Sequence, residues 1–117
     1  MTEKTLIKTH NTISILDTTG LEYKETRFPQ PPEGAYIVYM DDVTTDGPDG
    51  IPCMLTHDVT FELYAPTPNG AKAAEASIED ALTAAGLQWT KQAAYWLQTE
   101  QLYQTVYEFE YIEKRRT

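Results

Sequence analysis

Two stretches of the chain alternate between apolar and polar residues along most of their length. In LTHDVTFELYA, residues 55–65, the odd positions are mostly apolar and the even positions mostly polar, which is typical of a strand with one buried face. The sequence LYQTVYEFEYIEK, residues 102–114, alternates in the same way. Its odd positions carry four aromatic side chains, namely Tyr103, Tyr107, Phe109 and Tyr111. Each stretch therefore predicts a strand.

Shorter apolar runs predict two further strands. AYIVYM, residues 35–40, reads as a buried strand that pairs with the strand near residues 55–65 in a hairpin with a long loop. LQWTKQ, residues 87–92, predicts another strand. The following AAYWLQTE predicts a bulge or turn, which would contain Tyr95 and Trp96.

Helical spacing of apolar residues predicts two helices. Residues 70–85 carry one stripe of apolar side chains, Ala71, Ala74, Ile78, Ala81, Leu82 and Ala85. Gly86 follows where a left-handed cap is favoured. Residues 4–19 have apolar residues near helical spacing and Gly20 as a stop, although TISIL contains β-branched residues that also favour strands.

Proline-rich segments separate these elements. FPQPPEG, within residues 21–35, interrupts any long element and leaves room for a short strand at 21–26. The resulting order is α-β-β-α-β-β. It predicts a single α+β domain over residues 1–117, in which a mostly antiparallel sheet packs against two helices.

Charge is distributed unevenly along the chain. The net charge is −9, and no Lys or Arg occurs between Arg27 and Lys72. An acidic interval of this kind repels a phosphate backbone, because nucleic-acid affinity comes largely from Lys and Arg. The exception is the basic C-terminal tail at 113–117, which contains Arg115 and Arg116.

Composition also bounds the compartment. The single cysteine, Cys53, excludes an internal disulfide and suits a reducing environment. No apolar run approaches the ~20 residues that span a bilayer, and the N-terminus lacks the pattern of a signal peptide. We therefore expect a soluble intracellular protein that does not enter a membrane.

The sequence YMDD, which ends in Asp41 and Asp42, matches the catalytic signature of reverse transcriptases. Two-metal phosphoryl transfer also needs a third carboxylate and a basic groove. Asp58 could supply the carboxylate, but no stretch supplies the groove, so a polymerase is disfavoured. Instead the sequence predicts an acidic projecting loop over 41–53, whose remaining candidate residues are Asp46 and Asp49.

The same loop partly matches a calcium-binding pattern. Counting from Asp42, Thr44, Asp46 and Gly47 stand where an EF-hand has its ligands and turn glycine. The twelfth position, which should be a bidentate Glu, is Cys53. Adventitious binding of a divalent cation stays open, but we predict no dedicated metal site and no cofactor.

Nucleophilic catalysis has little support in the sequence. Cys53 and His57 would lie some 13 Å apart on one strand (~3.3 Å per residue), and no third residue is indicated to orient them. His57 shares its face with Leu55 and Val59, which favours a satisfied, partly buried histidine. We therefore predict that the protein is not an enzyme.

Tyr95 and Trp96 are the aromatic residues that the predicted core accommodates least readily. Aromatic side chains exposed in loops are enriched at protein interfaces. Stacking on single-stranded nucleic acid would require interleaved basic residues, and only Lys91 is near. The pair therefore favours a protein partner.

The C-terminal third, GLQWTKQAAYWLQTEQLYQTVYEFEYIEKRR, resembles the end of tail-completion or tail-terminator proteins of long-tailed bacteriophages and prophages of Gram-positive hosts. In those proteins an LYQxxYEFE-like strand closes the sheet. TGLEYKETRFPQPPEGAYIVYMDD and HDVTFELYAPTP are similar to their upstream strands. The resemblance covers residues 18–116, and related head–tail joining and neck proteins share the size and fold type.

The resemblance implies a ring component of the virion without enzymatic activity, commonly a hexamer. Such a ring would assemble in the host cytoplasm, cap the tail tube protein and face the head connector, while DNA passes through its lumen without specific binding. The loop 41–53 would face the lumen or a neighbouring ring, and Arg115 and Arg116 would either meet acidic residues of an adjacent subunit or form a solvated tail. The alternatives are another neck or head-completion protein, or a cytoplasmic adaptor or ligand-binding α+β module unrelated to virions.

Overall fold

A computed structural model describes residues 11–46 and 54–114, which form two helices and five strands. The helices are α1 (Thr12–Thr19) and α2 (Pro68–Ala84). The strands are β1 (Glu22–Glu25), β2 (Tyr36–Asp46), β3 (Met54–Ala65), β4 (Thr90–Leu97) and β5 (Leu102–Lys114). The order α-β-β-β-α-β-β confirms the α+β class, and the short strand allowed for at 21–26 is present as β1.

All five strands belong to one sheet, in the spatial order β1-β2-β3-β5-β4. β1 pairs with β2 in parallel, and the other three pairings are antiparallel. Ile37 lies opposite Leu63 and Leu63 opposite Thr105, so the odd positions of β2, β3 and β5 share one face. Both helices pack on that face, which we call the helix face; the even positions form the open face.

The core lies between the helix face and the two helices. α1 contributes Ile15 and Leu16, and α2 contributes the predicted apolar stripe. The sheet contributes its central odd positions, including Phe61 and Phe109, whose rings meet edge to face at 5.0 Å. The alternation of β3 and the aromatic odd positions of β5 therefore predicted the core face correctly.

Local sequence signals determine both helix ends. Asn11 caps α1, because its side-chain oxygen accepts hydrogen bonds from the backbone N–H groups of Ile13 and Ser14, and Gly20 ends it with φ of 75°. At the end of α2, Gly86 has φ of 76°. The N–H of Gly86 donates to Thr83 and that of Leu87 to Leu82, which completes a Schellman motif.

Polar contacts also attach α2 to the sheet. Lys91 Nζ lies 2.7 Å from Glu79 Oε2 and 3.1 Å from Glu75 Oε1. Tyr107 Oη donates to Glu79, and Thr105 Oγ1 donates to Glu75. The hydrogen bond from Lys91 holds the pKa of Glu79 below its ordinary value. The acidic residues of α2 therefore fix the helix to β4 and β5.

Three predicted boundaries differ from the structure. The loop predicted for 41–53 begins later, because 41–46 continue β2 in register with β3 down to the Asp46–Met54 pair; residues 47–53 lie outside the described residues. The strand predicted for 87–92 is β4, which runs to Leu97 with an irregularity between Gln92 and Tyr95. The helix predicted for 4–19 is observed from Thr12 onward, and 4–10 lie outside the described residues.

Of the helices among the described residues, neither is long and apolar enough to span a membrane.

Candidate functional site

Asp41 and Asp42, the paired aspartates of YMDD, lie on opposite faces of the sheet. Both belong to β2, where Asp41 is opposite Val59 and Asp42 is opposite Asp58. Successive side chains of a strand point to opposite faces, so the two carboxylates diverge. This divergence is incompatible with a shared metal ion, and among the described residues no three His, Cys, Asp or Glu side chains form a group suited to holding one.

Asp41 lies in a hydrogen-bond network at one end of the core. Its Oδ2 accepts a hydrogen bond from Thr12 Oγ1 at 2.8 Å, and its Oδ1 lies 2.9 Å from His57 Nδ1. On the other side of the imidazole, His57 Nε2 lies 2.8 Å from Glu113 Oε1. The His57 side chain is 12% exposed, so the prediction of a satisfied, partly buried histidine is confirmed.

Tyr111 completes this network. Its ring stacks on His57 with 4.4 Å between centroids and 6° between planes. Its hydroxyl accepts the backbone N–H of Thr12 and lies 2.7 Å from Thr12 Oγ1. Burial raises the pKa of this tyrosine. We call Thr12, Asp41, His57, Tyr111 and Glu113 the His57 cluster; it joins α1 to β2, β3 and β5.

Both hydrogen-bonding neighbours of His57 in this cluster are carboxylates. Carboxylates are acceptors, and a neutral imidazole carries only one N–H. The two ring nitrogens of His57 face Asp41 and Glu113 on opposite sides of the ring. The hydrogen bonds of the cluster link the first turn of α1 to three strands of the sheet.

Asp42 lies on the open face, in a row of carboxylates that crosses three strands. Asp42 on β2 is opposite Asp58 on β3, which is opposite Glu110 on β5. All three residues are exposed. Directly opposite side chains in a sheet have Cβ atoms roughly 4.5–5.5 Å apart, so the charges are close neighbours. We call this set the acidic row.

The acidic row has no cationic partner among the described residues, whose ion pairs involve His57 or Lys91 only. Glu108, two residues before Glu110 on the same face of β5, extends the acidic surface and is also exposed. A concavity of about 460 Å³ lies beside these carboxylates, with Trp89 on its wall. The open face is therefore anionic along the middle of the sheet.

Tyr95 and Trp96 lie in strand β4, and the predicted turn does not begin until after Leu97. Tyr95 is 60% exposed and Trp96 is 38% exposed. Trp96 pairs with Tyr103 and lies on the helix face, whereas Tyr95 pairs with Gln104 and lies on the open face. The two aromatic residues therefore flank an edge strand on both sides.

Tyr95 contributes to a second concavity on the open face, of about 440 Å³. Its aromatic wall includes Tyr36, which stacks on Tyr64 at 5.3 Å and meets Phe28 edge to face at 5.1 Å. Burial and the hydrogen bond to Glu62 raise the pKa of Tyr64 to about 12. This end of the open face is aromatic, and the acidic row lies nearer the middle of the sheet.

The remaining predicted site residues are only partly described. The backbone of Asp46 forms the last position of β2. Asp49, Arg115 and Arg116 lie outside the described residues. The structure therefore does not bring the predicted residues together into one site: it separates Asp41, Asp42 and the Tyr95–Trp96 pair.

Sequence reasoning missed both the His57 cluster and the acidic row. The alternation of side chains along a strand could have found them. If β2 continues through YMDD, Asp41 and His57 lie on one face of the sheet, and Asp42 and Asp58 lie on the other. The partners of His57 lie 16 and 56 residues away in the chain. Contacts at these separations require the strand register, which the alternation alone does not supply.

Comparison with known proteins supports the fold. No protein-family model matches the chain, and no curated protein sequence matches it. Its structure is similar to a chain in the solved structure described as the virion of a native gene transfer agent particle. The likeness covers 94% of this chain and 92% of that chain, with a TM-score of 0.60 and 18% sequence identity. The two chains share a fold from end to end.

Proposed function

We propose that the chain is a structural virion protein that forms a ring, caps the tail tube and joins it to the head connector. The observation that carries this proposal is the end-to-end fold likeness to a chain of a gene transfer agent virion. Because that likeness rests on 18% identity, it supports the architecture, and the tail-capping role rests on the sequence resemblance to tail-terminator proteins.

The acidic row supports a ring that DNA crosses. A wall of exposed carboxylates repels a phosphate backbone, whereas a basic wall would bind it with strong salt dependence. The row lies on the open face, opposite the two helices. In the proposed ring the open face lines the lumen, the helices lie outside, and DNA passes without specific binding.

The proposed protein partners are further copies of the chain, six in a ring, together with the tail tube protein and a head-completion protein. The exposed aromatic pair on β4 supports protein contacts at the sheet edge, because Tyr and Trp are enriched in the buried centres of interfaces. We propose no catalytic role, since the YMDD carboxylates diverge and Asp41 is engaged by Thr12 and His57.

Locating the protein in particles tests this function. Gold-labelled antibodies raised against the full chain are applied to particles from the strain that encodes it, and the labels are imaged by negative-stain electron microscopy. Label at the head-proximal end of the tail supports the proposal. Labelled heads without tails would indicate a head-completion protein, and unlabelled intact particles would overturn the virion role.

A further inference from the structure

Two edges of the sheet carry backbone groups that no described strand pairs. On one side, β1 covers β2 only at the four pairs from Glu22–Tyr36 to Glu25–Tyr39. Beyond this point the outer edge of β2 continues to Asp46 without a partner strand among the described residues. On the other side, β4 is the last strand of the sheet, and its outer edge is equally uncovered by described residues.

The direction of the exposed groups on β2 follows from one hydrogen bond. The N–H of Thr26 donates to the C=O of Tyr39 at 3.0 Å, so the backbone groups of Tyr39 point away from β3. Backbone direction alternates along a strand. Asp41, Val43 and Thr45 therefore present their N–H and C=O groups on the same outer edge, which is a template for another strand.

We propose that β4 of one copy pairs with residues 41–45 of β2 in the next copy, so that the sheets join head to tail around the ring. This inference rests on the proposed ring and identifies the surfaces that build it. Within one sheet, β4 runs antiparallel to β2. Rotation about a ring axis preserves strand direction, so the new pair is antiparallel, and the interface is heterologous, as ring closure requires.

Apolar exposure favours a second copy as the occupant of both edges. Val43, on the helix face of the β2 edge, is 49% exposed, and Trp96, on the helix face of β4, is 38% exposed. The proposed pairing brings these two side chains onto the same face of the joined sheet. One contact then covers an exposed aliphatic residue and an exposed aromatic residue that the single copy leaves in solvent.

The stagger of the two edges agrees with a closed barrel. Met40 lies level with Thr90 through the pairs Met40–Thr60, Thr60–Glu108 and Glu108–Thr90. To lie beside 41–45, β4 of the next copy must shift along the strand direction by about six residues, which is ~20 Å at ~3.3 Å per residue. This shift accumulates over the four strand spacings of one copy, each ~4.8 Å. That ratio corresponds to a strand tilt of about 45°, at the upper end of the usual ~35–45°.

The same geometry gives the size of the passage. Each copy advances the barrel by about 28 Å along its circumference, from the ~20 Å shift and the ~19 Å width of four strands. Six copies would enclose a barrel about 50 Å across between opposite backbones. With the helices outside, the acidic row of every copy faces this passage.

A proline substitution tests the pairing at a single hydrogen bond. Val43→Pro removes an outward N–H from β2, a position where an edge strand tolerates proline, and Val43→Thr is the matched control that retains the donor. Native mass spectrometry and circular dichroism are measured for both. We expect Val43→Pro to reduce the ring population at least tenfold with the monomer still folded, and Val43→Thr to form rings like the wild type.

A cross-link provides the second measurement, independent of whether the proline variant folds. In a Cys53→Ser background, Val43→Cys and Trp96→Cys are combined and treated with a short bismaleimide, with Val43→Cys and Thr83→Cys on α2 as the control pair. Cross-linked ladders of the first pair alone support the inference. Wild-type rings without that ladder, or rings unaffected by Val43→Pro, overturn the edge pairing and leave the proposed function standing. A wild-type chain that forms no ring contradicts both.

Discussion

His57 Nδ1 lies 2.9 Å from Asp41 Oδ1, and this contact places one aspartate of the YMDD sequence inside a structural cluster. Its neighbour Asp42 has no such contact with any described residue and is exposed on the other side of the sheet. Because both residues are aspartates, the same substitution at each position compares a carboxylate in the His57 cluster with an exposed one.

Replacing Asp41 with Asn is expected to lower the free energy of unfolding by about 1–3 kcal/mol, because it removes the charged partner of His57 and Thr12. Replacing Asp42 with Asn is expected to leave stability unchanged or slightly higher, because it removes a charge opposite Asp58. Urea denaturation followed by circular dichroism measures both. Equal losses in the two variants would contradict the assignment of Asp41 alone to the His57 cluster.

The acidic row is expected to reduce stability in the isolated chain. Asp58 lies between Asp42 and Glu110, so Asp58→Asn removes two like-charge contacts and should raise the free energy of unfolding by roughly 0.2–1 kcal/mol. Added salt should diminish this gain by screening the exposed charges. Asp80→Asn, an exposed position on α2, is the control and should change little. A lower free energy of unfolding in Asp58→Asn would contradict the repulsion between neighbouring carboxylates of the acidic row.

The contact between Lys91 and Glu79 makes the free energy of unfolding depend on pH. Lys91 lowers the pKa of Glu79 from its ordinary value of 4.5, so the stability from this contact is present above that value. It is lost as pH falls through the lowered pKa of the folded state. The contribution at neutral pH is below about 1 kcal/mol, because the pair is partly exposed.

Urea denaturation between pH 3 and 7 tests this contact by comparing Lys91→Met with the wild type. The variant should be less stable at neutral pH, and the difference should vanish toward the acid end. Lys72→Met, at an exposed lysine of α2, the helix that carries Glu79, should retain the wild-type profile. A constant difference at every pH would show that Lys91 acts through packing alone.

Reversing charges in the acidic row is expected to convert the open face from repelling DNA to retaining it. Asp42→Lys combined with Glu110→Lys keeps Asp58 between two cations. Electrophoretic mobility shifts with duplex DNA should show binding that weakens steeply with salt, with a slope of roughly −0.9 per phosphate contacted. The control, Glu22→Lys with Asp80→Lys, carries the same net charge. Equal binding by variant and control would contradict a special role for the row.

The predicted parts of the fold are those in which burial imposes a period on the sequence. β3, β5 and α2 each bury one face, so Phe61, Tyr107 and Ile78 recur at the spacing of their element. The far end of β2 has no such constraint: Asp42, Val43 and Thr44 are all exposed, and their residue types match a loop. β4 is an edge strand exposed along seven of its eight positions, so no buried period marks Tyr95 and Trp96 as part of a strand, and the sequence predicts a bulge or turn there.

The candidate surfaces were less predictable than the fold because they depend on strand register. Asp58 and Glu110 become neighbours of Asp42 only when three strands are aligned to the residue, and a shift of one position would move each to the other face. The sequence indicated that the interval without Lys or Arg is acidic. The structure shows which of its carboxylates share a face.

The mass of the purified full chain in solution shows whether the chain assembles into a ring. Native mass spectrometry, with negative-stain imaging of the same sample, distinguishes the 13.3 kDa monomer from a closed assembly. We predict a discrete oligomer, about 80 kDa if six copies assemble, that appears as a ring with a central channel. A chain that remains monomeric at micromolar concentration, alone and in the presence of isolated tail tubes, would contradict it.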